Sequence, residues 1–284
     1  MKKNGKGRIA MHYNQGFEQR LLVEVSSTRN DGITLMGNLY EEFNNIYGIA
    51  HGGYLYTVAH IAACKTGELC VGGDWEVEGA QCLFLHPLRI YPSVTETTLL
   101  SREDRPLVRC QVHDNKGNLC FEMHATLRPA KERAGEKVTH TPTIITDRRL
   151  PKDPNEKPQF PCLSSTYSKW LNIYSTSMTD STIVYSADLT EINCDDMGYL
   201  HPAVMFTAAD CSAGGCLFYI DKRRPITVSA NIHYLRHTCK GPVHAVPRPI
   251  RKGNVLNFYE VDLVDGDGEI AAVSQFIIRD MDKK

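Results

Sequence analysis

The sequence repeats at an offset of 150 residues, and this repeat restricts the possible folds more than any other feature. Over the 31 aligned positions, random matching would leave roughly two identities at average residue usage. Eight are present instead, pairing Ile33, Leu39, Glu41, Gly48, His51, Thr57, Ala59 and Ala63 with Ile183, Leu189, Glu191, Gly198, His201, Thr207, Ala209 and Ala213. A chain of 284 residues with such a repeat is expected to contain two copies of one domain.

Each copy shows the same order of elements. An alternating run predicts a first strand, a polar loop follows it, and an apolar stretch rich in Ala, Leu and Phe predicts a long helix. Further strand-like runs complete each copy. The ranges are 32–40 and 53–69 in the first copy, and 181–189, 203–219, 226–234, 242–249, 255–264 and 269–279 in the second. Four or five antiparallel strands can bury one face against one helix, which predicts an α+β fold.

The domain boundaries follow from where the repeat stops. Residues 131–161 carry five of the 14 prolines together with many charges, which is typical of an extended linker. The sequence therefore predicts a loose N-terminal arm over 1–15, a first domain over 16–130, a linker over 131–164 and a second domain over 165–284.

Composition narrows the class of protein. A formal net charge of -1 gives no broad basic surface for nucleic acid. No run approaches the roughly 20 apolar residues of a membrane span, and the basic start of the chain lacks the apolar run of a secretory signal. The ten cysteines form no Cys-x-x-Cys pair, so neither a zinc site nor a disulfide framework is indicated. These features predict a reduced cytoplasmic protein without nucleic-acid or membrane partners.

The segment before the first predicted helix carries the clearest chemical signal. It ends in His51, Gly52 and Gly53, directly before an apolar helical stretch. The first amides of a helix have no partner inside the helix, and the helix dipole favours negative charge there. Gly52 and Gly53 are therefore candidate donors to the oxyanion that forms when a thioester carbonyl is attacked. The alternative is a pair of glycines that serves only a turn.

A known family shares this pattern. Gly48-x-x-His51-Gly52-Gly53 at the start of a helix, Asn45 six residues before the histidine, and an acidic residue nine positions after the histidine of the second copy resemble the PaaI-like branch of hotdog-fold acyl-CoA thioesterases. The resemblance implies a double hotdog, in which two tandem antiparallel sheets each wrap a long central helix and form an intramolecular pseudo-dimer. It also implies hydrolysis of an acyl-CoA thioester, with coenzyme A only as part of the substrate and no metal.

The two copies divide the family's site residues unequally. In the family, each site takes the Asn and His-Gly loop from one subunit and the acidic residue from the other. The first copy keeps Asn45, His51, Gly52 and Gly53 but has His60 at the acidic position, whereas the second copy keeps His201 and Asp210 but has Asp195, Pro202 and Ala203 elsewhere. The resemblance therefore implies one complete site, in which Asn45, His51 and Gly52 meet Asp210, and one degenerate site, in which His201 meets His60.

Asp210 is the expected general base or nucleophile of the complete site. It stands in an apolar helical run, where a buried carboxylate is costly unless it is paired or functional. The segment 227–232 resembles the family's strand after the helix, where a Ser or Thr lies beside the acidic residue, so the resemblance implies Ser229 as a candidate for orienting Asp210 or its water. The alternative is an ordinary strand serine. His60 could also act as a base, but a core histidine is the simpler interpretation.

Two further expectations concern the residues that bind the substrate's phosphates and the assembly of the protein. The phosphates of coenzyme A require positive charge, and candidate residues cluster on the later strands of the second copy: Arg236, Lys240, Arg248, Arg251 and Lys252. A solvated rim is the alternative for these charges. A homodimer of pseudo-dimers is the expected assembly. The main rival to thioester hydrolysis is a protein that binds acyl-CoA without turnover, because a fold alone does not determine a function.

Overall fold

The computed structural model describes residues 18–21, 23–37, 43–89, 92–130, 165–195 and 198–283. The predicted arm over 1–15 and the predicted linker over 131–164 lie outside these residues, and the division into two domains at those boundaries stays a prediction.

The first half contains a short 3-10 helix, one long helix and six strands. After Glu18–Leu21, the elements are β1 (Val23–Arg29), β2 (Gly32–Gly37), α1 (Gly52–Thr66), β3 (Trp75–Phe84), β4 (Ser93–Ser101), β5 (Leu107–His113) and β6 (Leu119–Pro129).

The second half repeats this order. Its elements are α2 (Thr166–Trp170), β7 (Ile173–Met178), β8 (Ile183–Ala187), α3 (Pro202–Gly215), β9 (Pro225–Tyr234), β10 (Val243–Lys252), β11 (Leu256–Val264) and β12 (Ile270–Asp280). Both long helices continue into one π-helical turn, at Gly67–Val71 and at Cys216–Ile220.

All twelve strands form one antiparallel sheet in the order β1-β2-β4-β5-β6-β3-β9-β12-β11-β10-β8-β7. The halves join where β3 pairs with β9. Gln81 lies opposite Asn231 in that pair, and the two residues are 150 positions apart. Equivalent residues that face each other in an antiparallel pair place a pseudo-two-fold axis between them, as in an isologous dimer interface.

The two long helices pack against each other inside the sheet. The rings of Tyr56 and Phe206 stack at 3.9 Å with an interplanar angle of 4°, and these residues are again 150 positions apart. The pseudo-two-fold axis therefore also passes between α1 and α3. Both helices are buried over most of their length, because each has apolar and small residues on all of its sides.

Among the described residues, one segment has the length and composition of a membrane span, although the sequence was expected to contain no such run. Pro202–Ile220 comprises α3 and the π-helical turn after it, but 72% of its most apolar window is buried inside the protein. The segment is the core helix of the second half, since the core of the protein surrounds it.

The predicted elements agree with the structure except at the start of each copy. β1 and β7 were not predicted, because both sequences contain several serines and threonines and show little apolar alternation. Both are edge strands of the sheet. An edge strand buries little of its surface and therefore carries a weak hydrophobic pattern.

Candidate active site

The loop before α1 is held by its own backbone and by Asn45. The Asn45 Oδ1 accepts hydrogen bonds from the amides of Tyr47 at 2.8 Å and Ile49 at 3.4 Å. Gly48 has a φ of +67°, a left-handed conformation that glycine adopts without steric cost. A bridge between Asn44 and Ala50 closes the loop. Asn45 therefore fixes the shape of the segment that delivers His51 to the start of the helix.

His51 is the N-cap of α1, and it accepts hydrogen bonds from three of the first backbone amides of the helix. Its Nδ1 accepts from the amide of Gly53 at 2.9 Å, and its carbonyl accepts from the amides of Tyr54 and Leu55. Since Nδ1 accepts, a neutral ring carries its proton on Nε2. That nitrogen lies 3.7 Å from the Cys211 Sγ.

The amide of Gly52 is the first-turn donor that stays available. Within the part of the chain that the structure describes, no acceptor is bonded to it. The equivalent position at the start of α3 is Pro202, which has no N–H. At the first position of the helix, α1 therefore has an N–H at the positive end of its dipole and α3 has none.

Gly53 does not have the role predicted for it as an oxyanion donor. Its N–H already donates to His51. A Cβ at this position would lie 2.2 Å from the Thr207 Oγ1 on α3. The glycine is therefore required for the close approach of the two helices, and the single free amide is that of Gly52.

Asp210 approaches Gly52 from the other half of the chain. A Cβ on Gly52 would lie 3.0 Å from the Asp210 Oδ2 and 3.1 Å from the ring of Phe84. The Oδ2 also lies 3.9 Å from the His51 Nδ1. α3 thus brings its carboxylate to the start of α1, where a larger residue than glycine would require small shifts of the Asp210 or Phe84 side chain.

Burial changes the protonation of both groups. It lowers the pKa of His51 to about 4, so the imidazole is neutral at pH 7 and its contact with Asp210 is not an ion pair. Burial raises the pKa of Asp210 to about 6, against the opposing effect of a hydrogen bond from Thr227. A carboxylate with a pKa near 6 is ionised at neutral pH and is still a useful proton acceptor.

The hydroxyl that orients Asp210 belongs to Thr227, and the role predicted for Ser229 is wrong. The Thr227 Oγ1 donates to the Asp210 Oδ1 at 2.6 Å, which leaves the Oδ2 towards Gly52. In a regular strand, Thr227 and Ser229 would share one face. The register of β9 shifts between these residues, and this bulge turns Ser229 to a separate depression beside Asn231.

A cleft of about 280 Å³ joins these groups. Asn45, His51, Gly52, Asp210 and Thr227 all line it, and apolar residues provide much of the remaining wall: Ile46, Leu55, Phe84, Leu88, Pro225 and Ile226. The predicted residues Asn45, His51, Gly52 and Asp210 are thus brought together across the two halves. The aromatic wall residue Phe84 was not singled out from the sequence.

Known proteins share this architecture. A candidate thioesterase II from Thermobifida fusca superposes with a TM-score of 0.69 at 16% identity, over 96% of this chain and 99% of that one. A hotdog-fold protein of unknown function from Alicyclobacillus acidocaldarius gives 0.69 at 15% identity, over 89% and 94%. An acyl-CoA thioesterase II from Mycobacterium marinum gives 0.64 at 12% identity, over 90% and 95%. These likenesses establish the fold.

The sequence comparison adds a family for part of the second half. Residues 197–272 match the family described as the thioesterase superfamily. No curated protein matches the sequence significantly. The chain has the double hotdog fold.

The second site of this double hotdog is built from the equivalent positions; it keeps a histidine, His201, at the position of His51 and differs at the acidic and hydroxyl positions. His60 replaces Asp210, and its ring lies 5.1 Å from that of His201 in an edge-on arrangement. Val77 stands 150 residues before Thr227 and has no hydroxyl. The Glu18 Oε1 lies 3.5 Å from the His201 Nε2. The predicted meeting of His60 with His201 is present, without a carboxylate on the helix.

The cations predicted to hold coenzyme A do not line the cleft of the double hotdog. Four of the five have a carboxylate partner: Arg236 lies 3.6 Å from Asp265, Lys240 lies 2.9 Å from Asp267, Lys252 lies 3.0 Å from Asp221, and Arg248 pairs with Glu260. The fifth, Arg251, is exposed and does not line the cleft. Cross-strand neighbours explain the Arg248 pair, because Glu260 lies opposite it on β11. The prediction that these residues bind phosphate is therefore not supported by their positions.

Proposed function

We propose that the chain hydrolyses an acyl-CoA thioester at the single cleft between its halves. The observation that carries the proposal is the juxtaposition of Asp210 and Gly52: a Cβ on Gly52 would lie 3.0 Å from the Asp210 Oδ2, and in the described residues no acceptor is bonded to the Gly52 amide. Both groups line one partly apolar cleft. The fold and the superfamily match over 197–272 support this reaction class.

The reaction follows from the charges of the two groups. The Asp210 Oδ2 removes a proton from a water molecule as the water oxygen bonds to the thioester carbonyl carbon. The negative charge that forms on the carbonyl oxygen is stabilised by the Gly52 N–H and by the positive end of α1. When the tetrahedral intermediate collapses, the carbon–sulfur bond breaks and the proton held by Asp210 passes to the leaving sulfur. The products are a carboxylic acid and free coenzyme A.

The carboxylate could instead attack the carbonyl carbon and form an anhydride. The hydrogen bond from Thr227 and the raised pKa of Asp210 favour the general base. Single-turnover hydrolysis in ¹⁸O-water tests this choice. Label recovered in the Asp210 side chain identifies a nucleophile whose anhydride is opened by water at the Asp210 carbonyl carbon, and an unlabelled side chain contradicts that route.

A panel of acyl-CoA thioesters assayed by thiol release tests the function. Asp210→Asn is expected to lower kcat by about 10²-fold or more, because general-base catalysis contributes roughly that factor. The matched control is Asp267→Asn, the same change on an exposed turn that does not line the cleft. Equal rates for wild type and Asp210→Asn would remove Asp210 from the mechanism.

The rival function is binding of acyl-CoA without turnover. Wild-type protein that binds acyl-CoA thioesters but releases no thiol from any of them would favour it. Cytoplasmic location, lack of nucleic-acid and membrane partners, and assembly as a homodimer of pseudo-dimers remain predictions.

A further inference from the structure

Arg279 stands at the end of β12, is exposed, and lines the cleft. It is the only lysine or arginine among the cleft-lining residues in the described part of the chain. Its guanidinium donates to the Lys283 carbonyl oxygen at 3.4 Å, and no carboxylate in the described ranges pairs with it. A positive charge without a counter-ion therefore faces the cleft that contains Asp210.

The equivalent arginine of the other half is neutralised. Arg128 lies opposite Glu76 in the pairing of β6 with β3, just as Arg279 lies opposite Ile226 in the pairing of β12 with β9. The Arg128 Nε donates to the Glu76 Oε1 at 2.7 Å, and both side chains are only 5% exposed. The His237 Nε2 lies 3.0 Å from the same oxygen.

Both partners of Arg128 are replaced on the side that contains Asp210. Ile226 stands at the position of Glu76, and Pro87 stands at the position of His237, each 150 residues away. These two replacements line the cleft with Arg279. The arginine without a carboxylate partner, Arg279, thus lies at the complete site. The arginine with a carboxylate partner, Arg128, occupies the equivalent position at the degenerate site.

We propose that Arg279 anchors the anionic end of the substrate, so that the thioester's thiol carrier must bear phosphate groups. This inference rests on the proposed function and names the substrate class of the same site. An arginine guanidinium binds phosphate oxygens through parallel charge-assisted hydrogen bonds. Arg279 is accordingly a substrate-positioning residue, and Arg128 is its structural counterpart.

Two thioesters with the same acyl group test the anchor, one of coenzyme A and one of N-acetylcysteamine, which lacks phosphate. The measured quantity is the ratio of kcat/KM for the coenzyme A thioester to kcat/KM for the N-acetylcysteamine thioester. Arg279→Gln is expected to lower this ratio about tenfold or more, since a hydrogen bond to a charged group contributes at least that factor. The loss should appear in KM. A 3′-dephospho-coenzyme A thioester distinguishes the 3′-phosphate from the diphosphate.

A second variant reproduces the neutralised arrangement. Ile226→Glu places a carboxylate opposite Arg279, as Glu76 is placed opposite Arg128, and is expected to lower the same ratio. Ile226→Gln has the same size without the charge and is the matched control. Arg105→Gln, which removes an exposed arginine outside the cleft, controls for the loss of a surface charge.

The outcomes separate this inference from the proposed function. If both thioesters are hydrolysed and the ratio is unchanged in Arg279→Gln and in Ile226→Glu, the anchor is refuted while hydrolysis stands. If wild type hydrolyses neither thioester, hydrolysis is refuted, and calorimetric titration with free coenzyme A decides the anchor. A weaker affinity of Arg279→Gln than of wild type supports it, and equal affinities overturn it.

Discussion

Asp210 is largely buried, and burial disfavours the charged form of its carboxyl group. Its side chain is 11% exposed, and burial raises its pKa from 3.8 to about 6. A raised carboxyl pKa means that the folded state binds the proton more tightly than the unfolded state. Stability from this group is therefore greatest at low pH and is lost as the pH rises from about 4 through 6.

Asp210→Asn is therefore expected to stabilise the protein while it removes activity. The carboxylate costs up to about 3 kcal/mol of unfolding free energy above pH 7, because each unit of pKa shift corresponds to about 1.4 kcal/mol. Urea unfolding of both proteins at pH 4 and pH 7.5 measures the effect. The variant should be more stable at pH 7.5, with a smaller difference at pH 4. A variant that is less stable at both pH values would contradict the raised pKa.

Thr227 opposes the effect of burial on Asp210. Its hydroxyl donates to the carboxylate and lowers its pKa. The rate of wild type is expected to fall below pH 6, as Asp210 becomes protonated. Thr227→Val should move this acidic limb to higher pH, whereas Ser229→Ala, which changes a hydroxyl on the other face of β9, should not. The pH dependence of kcat/KM measures both, and an unshifted limb in Thr227→Val would refute the role of the hydroxyl.

At the scale of elements, the first residue of each long helix distinguishes the two sites. Gly52 and Pro202 occupy the same position, and only the glycine has an N–H. Pro202 shows that a proline fits the backbone at this position. At this position the two helices therefore differ by one hydrogen-bond donor.

Gly52→Pro is expected to lower kcat by about 10²-fold or more relative to Gly52→Ala, which is the usual effect of removing one oxyanion donor. The alanine variant is the control, because it adds the Cβ that approaches Asp210 and Phe84 but keeps the amide. Steady-state kinetics with one acyl-CoA thioester measures both variants. Equal kcat values would show that the amide is not used.

At the scale of the whole molecule, the fusion of two hotdogs into one sheet makes the asymmetry possible. A symmetric dimer of identical subunits must carry the same residues in both sites. Here the joined strands β3 and β9 keep the symmetric arrangement, while the sequences of the two halves differ. One site keeps a carboxylate, a free amide and an unpaired arginine, and the other has His60, Pro202 and a buried ion pair.

The asymmetry predicts one substrate site per chain. Calorimetric titration of Asp210→Asn with an acyl-CoA thioester should give a stoichiometry of one. The His201 side should contribute no second binding event, because its arginine already has a carboxylate partner. A stoichiometry of two, retained in Gly52→Pro, would show that the degenerate site binds ligand.

The sequence alone determined the duplication and the α+β class. These features depend on residue identities at a fixed offset and on apolar periodicity, which survive in a linear sequence. The meeting of the first half's loop with Asp210 was implied by the resemblance of the sequence motifs to a known family. The sequence also determined that Pro202 lacks a donor, since that is a property of the residue itself.

Only the tertiary structure decided which neighbouring groups complete the site. The resemblance pointed to Ser229, but the bulge in β9 decides which hydroxyl reaches Asp210, and a bulge is not visible in the sequence. Gly53 was assigned to the oxyanion because a sequence does not show that an amide is already bonded to a capping histidine. Whether Arg279 has a carboxylate partner likewise depends on which residue lies opposite it in the pairing of β12 with β9. Each is a property of contacts between distant segments, and such contacts exist only once the chain is folded.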